Sequence, residues 1–352
     1  MKKTAVCMVL SFCVALLAGA ERVQKPDPIK DEWYVLRQAE AAYNSGSYGS
    51  AVLYADLARE YRQNRVAWEV QTLKNSFRPA EVRQAGDDIA DVIPVLRRRE
   101  DYDALEIVER YRRNPRTASE ALFTEQLVAY VQRITAFPEA DFLLGNVYLI
   151  EGEYERAEQY YQAAWTARAL LDVPDAQYTI LYRLADLSHM KNDATAYEEY
   201  LTAIVRDDDF FKDPSLKRSV LRIMQNRRGG AVDTLFNVFR PEHFLLLRAY
   251  RELSDVYAAA GDTDRALYLC TLAALTGFTR MYAIVVQRMP EYTYDGLAAF
   301  LERAGEYADI VQWADDNGMR HVFGRLVLLT RASAGYETFS AELQTILTAA
   351  RQ

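Results

Sequence analysis

The chain has 352 residues, and its 42 Lys and Arg against 50 Asp and Glu give a formal charge of −8. Half of it is apolar, with only 15 Gly and 10 Pro, which excludes a disordered, collagenous or loop-rich all-β chain. Phosphate binding draws on clustered surplus cations, so the acidic balance speaks against a nucleic-acid partner.

Residues 1–20 read as a signal peptide. Lys2 and Lys3 form a short basic start, residues 5–18 are an almost unbroken apolar run, and Ala18-Gly19-Ala20 supplies small residues for cleavage. The run, about 14 residues, falls short of the roughly 20 that span a membrane. An uncleaved anchor helix is the alternative. A lipoprotein would need a Cys directly after the small residues, where Ala20 and Glu21 stand, while Cys13 follows bulky Phe12 and would halve the apolar run. The expected product is exported and soluble, periplasmic or secreted, with no further stretch approaching spanning length. Its one thiol is Cys270, flanked by Leu269 and Leu272, so it has no intrachain disulfide and a buried cysteine. Losing Lys2 and Lys3 takes the charge to −10.

From residue 31 onward the apolar spacing is helical, and the alternation that marks strands is missing. Trp33, Leu36, Ala39 and Tyr43 predict a first helix, closed by Ser45-Gly46-Ser47. Residues 71–137 read as further helices over 88–98, 103–112 and 119–136. Leu144, Val147 and Tyr148 mark the next, ended by Glu151-Gly152-Glu153. Residues 178–211 repeat the pattern. Residues 214–243 hold a helix, a Gly229-Gly230 break and an apolar stretch around Phe236 and Phe239. Leu246, Tyr250, Leu253 and Tyr257 begin another pair around Gly261-Asp262, and a last one follows Glu291 with its break at Gly305-Glu306. The predicted class is all-α, built of helix–turn–helix hairpins.

These hairpins resemble the tetratricopeptide repeat (TPR) family, whose 34-residue unit has characteristic slots. From Pro138, Leu144-Gly145 take slots 7 and 8, Tyr148 slot 11, Gly152 slot 15 and Tyr154 slot 17. Ala157, Tyr161 and Ala164 take slots 20, 24 and 27. From Leu247 the same slots hold Leu253-Ser254, Tyr257, Gly261, Ala266, Cys270 and Ala273. Partial copies start near Asp31 (Ala39, Gly46, Tyr48, Ala51, Ala58), at Tyr178 (Leu184-Ala185, Leu201, Ile204, with Asn192 for the Gly) and at Glu291 (Leu297-Ala298, Gly305, Tyr307). Small residues at 8, 20 and 27 let two helices approach, and bulky ones elsewhere fill the gap to the next hairpin. The resemblance implies a superhelical solenoid of stacked TPR-like hairpins with degenerate or inserted helices. The expected segments are 1–20 signal peptide, 21–136 N-terminal hairpins, 137–213 a repeat pair, 214–243 a helical insertion and 244–352 C-terminal hairpins.

Chemistry-bearing motifs are absent. His189, His243 and His321 are far apart, and Asp186, three residues from His189, gains no further His or Cys, so no metal site is expected. No Gly-x-Ser-x-Gly elbow or phosphate-binding glycine loop occurs, and Ser45-Gly46-Ser47-Tyr48-Gly49-Ser50 overlies a repeat turn. Asp207-Asp208-Asp209 lacks the alternating oxygens and distal Glu of a calcium loop. Arginine runs at 97–99 and 110–116 read as solvated faces, or as a patch for an anionic partner. No catalytic residue and no cofactor is expected.

The family's binding surface is the concave face of the first helices. Carried over slot by slot, it implies Phe142 and Asn146 in one unit, and Tyr182, Asp186, His189 and Met190 in the next. Arg248, Arg251 and Asp255 follow in a third. Apolar anchors with arginines suit an extended peptide or helix bearing carboxylates. The expected function is a non-catalytic scaffold or adaptor of the cell envelope, binding another envelope protein or peptide. The alternative is a ligand-binding accessory module whose partners are transporter subunits.

Overall fold

In the computed structural model, residues 31–76, 106, 135–224, 230–239 and 244–333 are described. The expected signal peptide, the helices over 88–98, 103–112 and 119–136 save residues 106, 135 and 136, both arginine runs, Gly229 and His243 lie outside them. Among the described residues every regular element is a helix, so the chain is all-α. It divides into two units, Met1–Ile180 and Leu181–Gln352, each taken by itself below.

Among its described residues the first unit has two hairpins. Helix α1 (Glu32–Asn44) pairs with α2 (Tyr48–Ser76), and α3 (Pro138–Ile150) pairs with α4 (Tyr154–Thr166); α2 also packs on α3. Asp31 opens α1 by accepting the Trp33 N–H, and Pro138 opens α3, where its missing N–H costs nothing. Small residues line the seams: Ala39, Ala51, Ala58, Ala157 and Ala164 are fully buried. At Gly145 a side chain would have nowhere to go, since a Cβ there would sit 2.5 Å from Cε1 of the buried Tyr161 ring. Sealing leucines such as Leu36 and Leu144 contributes about 1.5–3 kcal/mol each.

Helix α5 (Ala176–Met190) carries the boundary between the units, and α6 (Ala194–Val205) follows it. A single helical turn, Asp209–Lys212, leads to α7 (Pro214–Met224) and α8 (Ala231–Val238), the latter entered through Gly230 at φ 74°. Then come α9 (Leu247–Ala259), α10 (Thr263–Arg288), α11 (Leu297–Gly305), α12 (Ala308–Asp316) and α13 (Met319–Ala332). In this second unit α9 packs on both α6 and α10, and α10 also meets α8, α11, α12 and α13.

Four of the turns share one construction. Helices α1–α2, α3–α4, α5–α6 and α9–α10 are each joined by three residues, the second of them in the left-handed region: Gly46, Gly152, Asn192 and Gly261. In each, the third turn residue donates its N–H to a carbonyl near the end of the first helix: Ser47 to Ala42, Glu153 to Tyr148, Asp193 to Ser188 and Asp262 to Tyr257. This is a Schellman-type close, and it explains Asn192. Asn is the residue other than Gly that best tolerates φ near +58°, because its short amide offsets part of the Cβ strain. In two turns the third residue also starts the next helix, Asp193 capping Ala196 and Asp262 capping Arg265. Gly305 departs from the scheme; it ends α11 in ordinary helical geometry, and the left-handed glycine comes later, at Gly318.

Helix α10 corrects one expectation. After the signal segment no stretch of spanning length was anticipated, yet α10 is long and apolar enough to cross a membrane by length and composition. In the fold, 67% of that apolar stretch is buried, and residues from Ala266 to Phe278 face neighbours on nearly every side. The core of the second unit accounts for that much of its hydrophobicity.

Candidate functional site

Helix α9 carries four charged side chains, Arg248, Arg251, Glu252 and Asp255. Arg248 leaves its first turn and points its guanidinium at Asp186 of α5, while its Nε donates to Oε1 of Glu252 at 2.7 Å. The same guanidinium lies over the Tyr182 ring, 4.8 Å from the centroid. Tyr182 is itself pinned: its hydroxyl donates to the Leu245 carbonyl and accepts the Ala249 N–H. Burial therefore pushes the Tyr182 phenol above its ordinary range. Glu252 is the hub, also accepting Tyr197 Oη at 2.9 Å and Arg251 Nη2 at 3.3 Å. Desolvation and the adjacent Glu252 charge both raise Tyr197, so its proton stays in the hydrogen bond.

On the other side of α9, Arg251 donates to the Asn317 carbonyl at 2.9 Å. It lies so close to Gly318 that a Cβ there would meet Nη1 at 2.5 Å, at a φ of +70°. One turn on, Asp255 takes Arg325 Nε at 2.8 Å and His321 Nε2 at 2.9 Å, both from α13.

Four of the sequence-predicted residues, Tyr182, Asp186, Arg248 and Arg251, thus meet in one network around Glu252, while the fifth, Asp255, pairs separately with His321 and Arg325 of α13. The arginines differ from expectation in their state. Read as open cations for a partner's carboxylate, both are already held by this chain's own oxygens, because carboxylates at 186 and 252 stand within reach. The remaining two residues lie in the first unit. Asn146 is not on an open face; it is 8% exposed, and its Oδ1 accepts Tyr161 Oη at 2.8 Å. Tyr161 fills the space left by Gly145, and its buried hydroxyl needs an acceptor there. Phe142 is half-buried, its ring 5.7 Å from that of Tyr161.

Sequence reasoning missed Glu252, Tyr197, His321 and Arg325. Arg248 and Glu252 stand four apart on one helix, a visible pairing signal. His321 and Arg325 share the same spacing, but nothing local connects them to Asp255. Also unread were the phenols as ties: Tyr250 donates to Asp208, Tyr257 to Glu198, and Tyr268 to the Phe210 carbonyl. Asp208 and its neighbours therefore serve the fold, with Asp208 also capping the turn at Phe210.

No family model matches the chain. It is similar to an uncharacterized protein of Treponema pallidum (strain Nichols), 29% identical over 304 residues, which cover 85% of this chain and 80% of that one. It is also similar to an uncharacterized protein of Borreliella burgdorferi (strain ATCC 35210 / DSM 4680 / CIP 102532 / B31), 22% identical over 193 residues, 49% of this chain and 60% of the other.

Proposed function

We propose that the chain is an exported, non-catalytic adaptor of the cell envelope, a solenoid of tetratricopeptide-like hairpins that binds an extended peptide or helix of another envelope protein. The observation that carries this reading is the turn repeated at Gly46, Gly152, Asn192 and Gly261, each at slot 15 of the proposed repeat. Hairpins closed in one way are the building unit of such a solenoid, and within each unit stacking them exposes a face of first helices.

On that face we place Tyr182, Asp186, Arg248, Arg251 and Asp255. Their internal pairing favours a preformed surface, since side chains already fixed lose little further freedom on binding. Exposed groups at the same slots, His189 with its ring 5.2 Å from that of Tyr197 and the 54% exposed Met190, offer further contacts.

The test is a photo-crosslinking residue placed at His189 or Met190 in intact cells, with Glu199 and Asp264, exposed on second helices, as comparison sites. The adaptor reading expects one discrete protein adduct from the first pair and none from the second. The adduct should weaken when Arg248→Asp is combined with Asp186→Arg, which keeps the internal pair but inverts its polarity. Equal labelling from all four positions sinks the reading. Adducts to transporter subunits move it to the ligand-binding accessory module of a transport system.

A further inference from the structure

A separate feature of the first unit stands apart from the adaptor reading. Where α2 packs on α3, a carboxylate is buried between the two hairpins: Asp141, in the first turn of α3, is 4% exposed. Arg59 of α2 approaches Asp141 Oδ1 to 3.1 Å. The approach is poorly angled, and that oxygen has no hydrogen bond. Arg59 is moreover shared, its Nη1 donating to the exposed Asp56 at 3.2 Å and its guanidinium leaning over the Tyr160 ring of α4.

Other described charges near this joint have partners of their own. Glu139, on α3, accepts the Asp172 N–H at 2.8 Å and feels Arg62 of α2. Glu32 of α1 is held by Arg65 at 2.7 Å, with Arg62 beyond it at 3.9 Å and stacked over Phe137. Burial raises Glu32, but the Arg65 hydrogen bond and charge outweigh it and hold the group below its ordinary value. Asp141 has the opposite balance. Desolvation, with Asp56 and Glu139 adding to it, exceeds what half-shared Arg59 returns, and the carboxyl is pushed up to about 6.

We infer that the joint between the α1–α2 and α3–α4 hairpins is an acid-tightened hinge, locked when Asp141 takes up a proton and loosened when it gives one up. The sign follows from linkage. A carboxyl that binds its proton more tightly in the closed joint than in water favours closure at low pH. That advantage is lost as pH rises from the ordinary value of 3.8 through about 6. A buried carboxylate with one oxygen lacking a hydrogen bond, served only by a shared arginine, is the physical cause, and neutralising it relieves the joint.

Hydrogen–deuterium exchange on the full chain tests this, read at amides 141–148 and corrected for the intrinsic pH dependence of exchange. Protection should fall about tenfold between pH 5 and pH 7, with amides of α10 as a reference. Asp141→Asn should hold the acid-state protection at both pH values. Arg59→Gln, which removes the charge that stabilises the carboxylate, should move the midpoint upward, and Glu139→Gln should leave most of the step in place. A step that survives in Asp141→Asn, or protection that rises with pH, overturns the proposal. So does a midpoint that stays fixed in Arg59→Gln.

Discussion

A single missing side chain at Gly145 sets how closely α3 and α4 approach, because Tyr161 occupies the volume a methyl group would need. The ring is fully buried and its hydroxyl is committed to Asn146, so it cannot swing aside without breaking that bond. Gly145→Ala should therefore destabilise the protein by about 1–3 kcal/mol, the usual range for overpacking, read from the denaturation midpoint in urea. Gly145 was legible in the sequence as a small residue at a seam, and Asn192 as a stand-in for glycine. Asn146 was not. A slot assigns a residue to one side of a helix, but the needs of a neighbour's polar tip decide which way an amide turns.

Between elements, phenols and ion pairs do the joining, and these were the least legible features. The sequence shows 24 tyrosines as bulk for hairpin seams. That several hydroxyls also reach carboxylates or carbonyls on other elements depends on distances that helical spacing does not encode. The Arg248–Asp186 pair joins α9 to α5, with side chains 37% and 23% exposed, so solvent screens it. A double-mutant cycle with Arg248→Ala and Asp186→Ala should give a coupling of about 0.5–1 kcal/mol, shrinking at high salt. A coupling near zero would mean that Glu252 alone holds the arginine. The turns, by contrast, were readable almost completely, since φ near +80° at Gly46, Gly152 and Gly261 selects a residue type directly. Helix α10 was not, because it runs to Arg288 where a 34-residue unit from Leu247 would end near residue 280. Gly277 sits at its middle because Met319 packs there, at a distance a Cβ would not allow.

For the molecule as a whole, the all-α class was legible in few glycines and prolines and in the lack of strand-like alternation. The sequence could not reveal the division at Ile180, which falls inside a helix where no composition changes. Export is the property to measure at this scale. If residues 1–20 direct it, the protein recovered from its native cells should begin at Glu21. Intact-mass measurement would then read the loss of those twenty residues, whereas an added lipid mass or an uncut chain would reassign the segment as an anchor. Cys270 offers a check on intactness during purification. Complete burial pushes its thiol up to about 12, and its Sγ donates to the Val322 carbonyl, so a thiol reagent at neutral pH should label it only after denaturation.

Helix α10 has a further consequence, in the order of synthesis. The residues that cover it on its α13 side are numbers 319–332, and they are made after it. Every nascent chain that has passed Arg288 but not reached Ala332 therefore carries an α10 that α8 and α9 can already meet but whose α13 side is still uncovered. The second unit has to wait for its own C-terminal third before it can close, and a ribosome stalled in that interval leaves an aggregation-prone stub that a holding chaperone must shield.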